Sequence, residues 1–515
     1  MNNETINFET TQTEPDSKST AVAVTYENEK IRCIVENFPV FGLTSFLYAV
    51  FFCFCLYKNC SSYTSLLICI ATIGYFLFCF RKLDIASFKM RSFYIICICL
   101  LGLSNMLTAS GILIFLNYVG IILLLFCFLI NHFYDTTKWD FSKYTGALVQ
   151  TMFSSFTRID YPFRSFSLYY KKNNKLKNSK VLYILLGLLI SVPLLLVICP
   201  LLLTADAVFY NLADNLFSEL FKDFDLGTLI GIAFTTFAGL IFSHGFLVEL
   251  CGKHVKPDIK NKKTMEPIIA ITFTSILTLV YLCFSVIQIV YLFVGNMTLP
   301  NNYTYAQYAR EGFFQLLFVC IINLILVLFC MSHYRDNKVL KGILTVICGC
   351  TYIMIASSTL RMLMYIGEYH LTFLRVFVLL SLLVLFLCLT GVVISIFKPS
   401  FKLFTYMLII VSVCYIGFSL SRPDTYIAAY NIHTQASDLN YYYNLSPDAA
   451  PLLAKHGYLH TPEGEGNPSA TGESYRVDNY KFKCRSQYED LNFRRFNLSV
   501  YRAGQAVKNS AVVQK

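Results

Sequence analysis

The chain has 515 residues, of which 56% are hydrophobic and only 14% are charged, and its formal net charge is +11. Roughly a quarter of the residues in a soluble domain are charged, so this composition excludes a soluble globular protein. Uncharged runs of about 20 residues, the length that crosses the hydrocarbon core as a helix, recur along the chain. We therefore predict an all-α, polytopic transmembrane helical bundle.

The N-terminal residues 1–37 form a polar segment with an excess of acidic side chains. A cleavable signal peptide would place a basic stretch directly before a short apolar region and a small-residue cleavage site, and this pattern is not visible. We expect 1–37 to be a largely disordered cytoplasmic tail. The first spanning helix then serves as an uncleaved start.

Eleven spanning helices are predicted within a transmembrane domain at 38–420. Their predicted ranges are 38–57, 62–80, 92–109, 111–131, 181–203, 226–247, 267–294, 312–331, 339–365, 371–397 and 401–420. Single polar residues inside these helices are expected to form hydrogen bonds between helices. They are Asn105, Asn117, Gln288, Gln315 and Asn323.

The positions of Lys and Arg predict which way the bundle faces. Alternate connectors are rich in these residues, whereas the opposing connectors contain only Lys58, Lys222, Arg310, Arg361 and Arg375. Because the basic connectors of membrane proteins lie in the cytoplasm, the N-terminus is predicted to be inside. After eleven spans the C-terminal segment, 421–515, is then extracytoplasmic. An even number of spans would place this segment in the cytoplasm instead.

The cytoplasmic connector 132–180 is longer than a simple loop and mixes aromatic with basic side chains. This composition is typical of an amphipathic segment in the lipid headgroup layer, where rings are buried and cations meet anionic lipids. The predicted headgroup contacts are Lys171, Lys172, Lys175 and Lys177. Docking of a cytoplasmic partner is the alternative. No fold signal supports nucleic-acid binding.

Neither a metal site nor a cofactor site is predicted. The outer connector 204–225 carries five carboxylates, but their spacing does not resemble a calcium-binding loop, so we interpret it as a solvated acidic face. Most of the 19 cysteines lie inside apolar runs and no C-x-x-C occurs, which favours small apolar residues over a disulfide or metal framework.

Ionisable residues inside a membrane are candidates for function, and the clearest group spans the ninth and tenth helices. It contains Arg361, Glu368, His370 and Arg375. Arg361 and Glu368 are seven residues apart and would share one face of a helix. Two interpretations remain open, namely an Arg–Glu–Arg network that fixes the outer end of the hairpin, and an outward-opening anion or carboxylate site.

The sixth helix carries small residues four apart, which allow a neighbouring helix to approach closely. The predicted helix-packing residues are Gly227, Gly231, Gly239 and Ser243. A substrate path is the alternative interpretation of this stripe. His244 and Glu249 follow near the cytoplasmic end, either as an interfacial pair whose polar ends reach toward the surface or as a proton relay.

The C-terminal segment is predicted to be a small helical appendage without a catalytic motif. Ser446-Pro447-Asp448 indicates a helix start, with Ser at the N-cap and Pro at the first position, and the helix is expected over 449–455. The Pro- and Gly-rich stretch 461–472 predicts a loop, and 479–506 a second helical stretch.

Several short motifs in this sequence resemble one bacterial protein family. They are Leu203-Thr204-Ala205-Asp206, Tyr308-Ala309-Arg310-Glu311-Gly312-Phe313-Phe314, Arg361-Met362, Leu371-Thr372, Leu374-Arg375, Arg422-Pro423-Asp424 and Leu445-Ser446-Pro447-Asp448-Ala449. Together they look like the multi-pass family "domain of unknown function 4173", which is related to the family numbered 4153. The resemblance covers about residues 180–500. It implies a multi-pass protein of the bacterial cytoplasmic membrane and no established reaction.

These motifs lie at predicted outer ends of helices, which favours an outward-facing polar site. The ligand-binding candidates are Asp206, Arg310, Glu311, Arg361, Glu368, Arg375, Arg422 and Asp424. The leading hypothesis is a non-enzymatic integral membrane protein that binds a ligand, a lipid, or an envelope or membrane-protein partner at this site. A secondary transporter, and a polytopic transferase that acts on a lipid-linked substrate, are the alternatives.

Overall fold

A computed structural model of the protein describes residues 29–86, 88, 90–134, 136, 139–154, 160–172, 226–252, 263–290, 305–435, 439–460 and 468–512, and isolated residues between 187 and 211. The helices within these ranges are α1 (Glu29–Glu36), α2 (Phe38–Leu56), α3 (Thr64–Lys82), α4 (Arg91–Leu107), α5 (Gly111–Phe133), α6 (Phe141–Ser154), α7 (Tyr161–Lys172), α8 (Leu226–Leu240), α9 (Phe246–Cys251), α10 (Pro267–Gln288), α11 (Tyr305–His333), α12 (Lys338–Tyr369), α13 (Phe373–Phe397), α14 (Leu403–Leu420), α15 (Pro423–His433), α16 (Ala450–Lys455), α17 (Pro468–Glu489) and α18 (Leu498–Val512).

The structure confirms the prediction of an all-α, polytopic helical bundle. Among the described residues, nine helices are long and apolar enough to cross a membrane, and α4 is a shorter apolar helix. The predicted fifth span, 181–203, lies largely outside the described residues. The predicted disordered tail is described only from residue 29, where α1 forms a helix that packs on α7 and α9 and buries Ile34.

The membrane helices divide into two groups, each with its own apolar core. The first core is built largely from α2 to α5 and α9, and the second from α10 to α13. Helix α14 packs against both α13 and α4, so it joins the two groups. Each helix buries one stripe and leaves another apolar stripe exposed, as expected for helices that face both neighbouring helices and lipid.

Four of the five polar residues predicted inside spans connect helices. Asn117 of α5 donates to Asn105 of α4 at 2.8 Å and accepts from Ser419 of α14 at 2.7 Å. Asn323 of α11 donates to a threonine of α12, and Gln288 of α10 accepts from a serine of α12. Gln315 is instead exposed and makes no such bond within the described part of the chain. These bonds stabilise the order of the helices.

The bundle has two different ends. At one end the connectors 57–63, 108–110 and 370–372 lie under the C-terminal segment, and we call this the capped end. At the other end lie α1, α6 and α7 together with the Lys- and Arg-rich connectors around 334–337 and 398–402, and we call this the basic end. The N-terminal helix and the C-terminal segment therefore lie at opposite ends.

The C-terminal segment has its own apolar core, in which Tyr442 and Tyr480 are fully buried, and which packs on the beginning of α13. Its helices differ from the predicted ones. Part of the predicted loop 461–472 is helical, because α17 begins at Pro468. The predicted stretch 479–506 is broken, because a new helix, α18, begins after Asn497.

The small-residue stripe of α8 lies against α2. A Cβ atom built on Gly231 would lie 2.5 Å from the ring of Tyr57, and one built on Gly239 would lie 3.0 Å from the ring of Phe52. These two positions therefore allow a close approach that a larger residue would prevent. At Ser243 the stripe enters a π-helical turn, Ile241–Gly245, which joins α8 to α9.

Candidate functional site

The capped end is held together by a buried carboxylate, Asp448, which is only 3% exposed. It accepts hydrogen bonds from the hydroxyl of Thr108 at 2.5 Å, from the backbone N–H of Ala109 at 2.7 Å, and from the hydroxyl of Ser499. A buried charge is stable only when its oxygens are hydrogen-bonded. Asp448, which lies just before α16, thus joins the α4–α5 connector to the beginning of α18.

Asn497 performs the complementary task as a donor. Its side-chain amide donates to the backbone carbonyls of Asn105 and Thr108, at 3.0 and 2.9 Å, and to that of Ser61. Its carbonyl oxygen accepts from the N–H groups of Ser499 and Val500, as an N-cap does at the start of a helix. One side chain therefore starts α18 and ties it to two connectors of the bundle.

Asp424, a predicted ligand-binding residue, is instead buried inside the C-terminal segment. Its carboxylate accepts from the backbone N–H of Ser446 at 3.1 Å. Burial raises the pKa of Asp424, the bond from Ser446 opposes this shift, and the neighbouring Asp448 adds to it. In this setting Asp424 supports the segment from within. Arg422, directly before α15, has a φ of 53° in the left-handed region and forms the sharp turn out of α14.

The connection between α12 and α13 is closed by Arg375 and Asn431. The guanidinium of Arg375 donates to the carbonyls of Tyr369, the last residue of α12, and of His370, which follows it. It also lies 4.2 Å from the ring centroid of Tyr365. A cation is favourable at this position because the helix C-terminus carries partial negative charge. Asn431 pairs with both the N–H and the carbonyl of Leu371, each at 2.9 Å.

The two residues predicted to share a face of one helix, Arg361 and Glu368, do lie in the same helix, α12, but in different surroundings. Arg361 is 7% exposed, and its terminal nitrogen donates to the side chain of Gln288 at 3.3 Å. Glu368 is exposed and forms no ion pair within the described part of the chain. With Arg375 directed to backbone carbonyls, the Arg–Glu–Arg network, one of the two interpretations of this group, is not formed among the described residues. This face of α12 is buried against neighbouring helices at Arg361 and is exposed about two turns later, at Glu368.

The remaining predicted residues do not join this group. Asp206 is exposed and accepts from the N–H groups of Val208 and Phe209, so it caps a helical turn. Arg310 and Glu311 lie inside α11, which begins at Tyr305, seven residues before the predicted start of this span. Their side chains are outside the described part. At the basic end, the side chains of the predicted lipid-headgroup lysines 171, 172, 175 and 177 are outside it as well.

Near the basic end, His244 lies in the π-helical turn and is almost fully buried. Its Nδ1 atom is 3.3 Å from the hydroxyl of Ser45, which in turn is 2.9 Å from the hydroxyl of Tyr75. Its Nε2 atom has no hydrogen-bond partner in the described part of the protein. Glu249 is also buried, so the expected interfacial pair is wrong: neither side chain reaches the surface.

A polar cavity of about 200 Å³ lies at the capped end, between the α2–α3 connector and the C-terminal segment, and we call it the seam cavity. Its lining includes Lys58, Asn59, Gln487, Asp490 and Arg495. Two of its lining side chains carry a polar atom that is shielded from solvent and has no partner among the described residues, the Gln487 Oε1 acceptor and the Arg495 Nε donor. Buried polar atoms are normally paired, and these two are shielded even from a molecule the size of water, so a ligand in the cavity reaches them only when the two side chains turn toward it.

An open aromatic groove adjoins the seam cavity and shares Leu491 with it. Four other aromatic residues line it together with Phe493, whose side chain is 84% exposed; they are Tyr63, Tyr488, Phe496 and Tyr501. The edge of the Phe493 ring faces Tyr63, with the centroids 5.9 Å apart. An exposed aromatic patch beside a polar cavity is typical of a binding surface.

Sequence reasoning missed the residues that build this site. Asp448 was recognised only as part of a helix start, although Ser-Pro-Asp also matched a motif. Asn497 had a local signal, an Asn directly before a helix, but its carbonyl partners lie almost 400 residues earlier. Gln487 and Arg495 carried no signal. In the described residues no group of three or more His, Cys, Asp or Glu side chains is placed to hold a metal ion.

Comparison with known proteins gives one match. No curated protein and no solved structure matches the chain. A family model does match, over residues 95–456, which is more than half of the chain and includes α4 to α16. The match is to the family that the motifs suggested as a relative, and membership of the 4173 family is not shown. The chain is a multi-pass membrane protein that belongs to the family described as domain of unknown function (DUF4153).

Proposed function

We propose that this protein is a binding protein of the bacterial cytoplasmic membrane, with the capped end outward, and that it acts by binding rather than by catalysis. The excess of Lys and Arg in the connectors of the basic end supports this orientation. The binding site that we propose is the seam cavity together with the aromatic groove. An envelope component is thus the natural class of ligand.

The observation that carries the proposal is that two side chains that line the seam cavity each have a buried polar atom without a partner among the described residues. Arg495 Nε needs an acceptor, and Gln487 Oε1 needs a donor. Among the described lining residues, the two cationic side chains, Lys58 and Arg495, outnumber the one carboxylate, Asp490. A suitable ligand accepts a hydrogen bond from Arg495, donates one to Gln487 and carries negative charge. Such a ligand has an anionic group next to a hydroxyl or amine.

The aromatic groove further narrows the class of ligand that the site can bind. The C–H faces of sugar rings stack on exposed aromatic rings, and Phe493 presents such a ring beside the cavity. An anionic carbohydrate supplies hydroxyl donors for Gln487, a carboxylate or phosphate for Arg495, and a ring face for Phe493. The predicted residues Arg375, Arg422 and Asp424 do not line the cavity, and they have a structural role elsewhere at the capped end.

The test uses the full-length protein in nanodiscs and trigalacturonate as the probe, with uncharged maltotriose for comparison. We expect trigalacturonate to bind at least about tenfold more tightly, and Arg495→Gln to remove this preference, since one charge-assisted contact corresponds to about that factor. Phe493→Ser is expected to weaken binding of both sugars. Arg485→Gln, an exposed arginine of α17 that does not line the cavity, is the matched control.

Two outcomes contradict the proposal. In one, trigalacturonate fails to bind at millimolar concentration. In the other, it binds equally well to the wild type and to Arg495→Gln. Thermal unfolding of each variant shows whether a loss of binding follows from a loss of fold, because a variant that unfolds at the wild-type temperature keeps the seam intact.

A secondary transporter is the second candidate, because the long helix α8–α9 is interrupted by a π-helical turn that holds the buried His244. Interrupted helices with buried ionisable groups occur in the transport paths of such proteins. Proteoliposomes loaded with the pH dye pyranine test it after an acid jump. Transport predicts proton entry that is lost in His244→Phe and kept in His333→Phe, and a rate equal to that of empty liposomes excludes proton-coupled transport.

A further inference from the structure

A second cavity, of about 270 Å³, lies at the basic end, on the opposite side of the membrane domain from the seam cavity. It is enclosed by α6, by the α11–α12 connection and by the α13–α14 connection. We call it the basic-end cavity. It lies apart from the proposed function, and none of the predicted site residues lines it in the described part of the chain. Several residues between 136 and 144, which belong to the connector that the sequence predicts in the lipid headgroup layer, form part of its lining.

The inner wall of the basic-end cavity is apolar and aromatic. Leu328, Leu344 and Ile396 line it from three different helices. The rings of Tyr144 and Phe404 stack with their centroids 3.8 Å apart and their planes 15° apart, which joins α6 to α14. This wall is at the level where the spans end, so a molecule that fits it has an apolar part next to a polar one.

The rim of the cavity is cationic. Lys263 Nζ lies 2.8 Å from a carboxylate oxygen of Asp336, and Lys341 Nζ lies 3.8 Å from the same atom, so one carboxylate is shared by two lysines. The third lysine, Lys402, is exposed and forms no ion pair within the described ranges. Asp140 is the one further carboxylate among the described lining residues. These residues together carry three positive charges and two negative charges.

Two helices also begin at this rim, and their N-terminal ends add partial positive charge. They are α12, which follows the N-cap Asn337, and α14, which follows Lys402. The lysine that is held most loosely by Asp336, Lys341, lies in the first turn of α12. An incoming anion therefore meets one loosely paired lysine, one lysine without an ion pair in the described structure, and two helix starts.

We infer that the basic-end cavity binds a phosphate group, and that the phosphate is the headgroup of an anionic membrane lipid. The rim supplies the cations that phosphate requires, and the apolar wall lies where the first carbons of acyl chains run. Basic pockets between membrane helices on the cytoplasmic side bind anionic headgroups in this way.

The chain contains a single tryptophan, Trp139, and it lines this cavity, so its fluorescence reports on the site directly. The test places the full-length protein in phosphatidylcholine nanodiscs and adds phosphatidylglycerol with brominated acyl chains, which quench tryptophan on contact. Brominated phosphatidylcholine is the matched lipid control. We expect stronger quenching by phosphatidylglycerol at equal content, with a saturable dependence on its mole fraction.

Variants connect this preference to the rim. Lys341→Gln with Lys402→Gln removes two charge-assisted contacts and is expected to weaken the phosphatidylglycerol response by at least about tenfold, the factor that one such contact contributes. Lys398→Gln removes an exposed lysine of the same connection that does not line the cavity, and it is expected to leave the response unchanged. Thermal unfolding checks that each variant is folded.

Free phosphate is distinguished by a further arm, in which inorganic phosphate is added to nanodiscs of phosphatidylcholine alone. A saturable change in Trp139 fluorescence there, together with equal quenching by both brominated lipids, would overturn the lipid assignment. Equal quenching by both lipids without a phosphate response would overturn the site altogether. Either result leaves the seam cavity untouched, because that site contains no tryptophan.

Discussion

The capped end and the basic end of this bundle are joined by different kinds of contact. At the capped end, buried side chains such as Asp448 and Asn497 each bridge segments that are hundreds of residues apart. At the basic end, ion pairs such as Lys263–Asp336 and Arg335–Glu266 are largely exposed. A buried polar group without its partners is costly, whereas an exposed ion pair contributes little. The C-terminal segment is therefore an integral part of the fold at the capped end. At the basic end, the exposed ion pairs can break and re-form with other partners at little cost.

The comparison predicts the largest effect for Asp448→Ala. The change leaves three donors without their shared acceptor and opens a space in a buried seam, so we expect the C-terminal segment to lose about 3 kcal/mol of its attachment. Limited proteolysis in nanodiscs measures this, with faster cleavage between α14 and α18. Asp478→Ala, at an exposed acid of α17, is the control. Equal cleavage of both variants would show that the seam does not depend on Asp448.

Asn497→Ala tests the donor side of the same seam. Three carbonyl partners and the N-cap of α18 are lost, and we expect a destabilisation of about 2 kcal/mol, because an N-cap alone contributes about 1. Hydrogen exchange should increase in the first turn of α18 and in the connector 57–63, while α12 stays protected. Asn479→Ala, at an exposed position of α17, should change neither. An increase spread evenly over the whole bundle would contradict the assignment.

Asp424 predicts a pH dependence that is confined to the capped end. Its pKa in the folded protein is raised by burial above the ordinary value of 3.8, so the folded state binds a proton more tightly than the unfolded state. The stabilising contribution is complete below pH 3.8 and is lost as the pH rises through the raised pKa. The unfolding temperature of the wild type minus that of Asp424→Asn should therefore fall with rising pH. A difference that is flat or rising would rule out this role.

The smallest effect is expected at the basic end, for Asp336→Asn. Lys263 holds the pKa of Asp336 below its ordinary value of 3.8, so the stabilisation is present above that value and is lost as the pH falls through the lowered pKa. The pair is partly exposed, and we expect less than about 1 kcal/mol. Thermal unfolding in low and high salt measures it, because screening should remove most of the difference. A loss comparable to that of Asp448→Ala would remove the contrast between the two ends.

The membrane helices were predictable because their length and hydropathy are set by the bilayer, and ten predicted spans coincide with helices of the structure to within a few residues at most ends. The larger errors are at helix ends that extend beyond the apolar run into polar sequence. The start of α11 at Tyr305 is an example, because hydropathy gives no signal there. Helical spacing correctly placed Arg361 and Glu368 on one face. Helical spacing could not predict that this face is buried at Arg361 and exposed at Glu368.

The candidate site was much less predictable, because its bonds join distant parts of the chain. Asp448 and Thr108 are 340 positions apart, and nothing local to either residue identifies the other. Arg375 illustrates a different difficulty. Its charge suggested a carboxylate partner, but its acceptors are backbone carbonyls, which every residue carries and which composition therefore cannot identify.

The position of Asn497 has a consequence for the order of assembly. The carbonyls of Ser61, Asn105 and Thr108 belong to the first four spans, yet their shared donor is synthesised only after the last span, α14. During translation these connectors therefore wait without their partner while the rest of the bundle is inserted. The capped end is completed last, and a chain interrupted between residues 421 and 496 keeps all its spans but lacks the bonds that fasten that end.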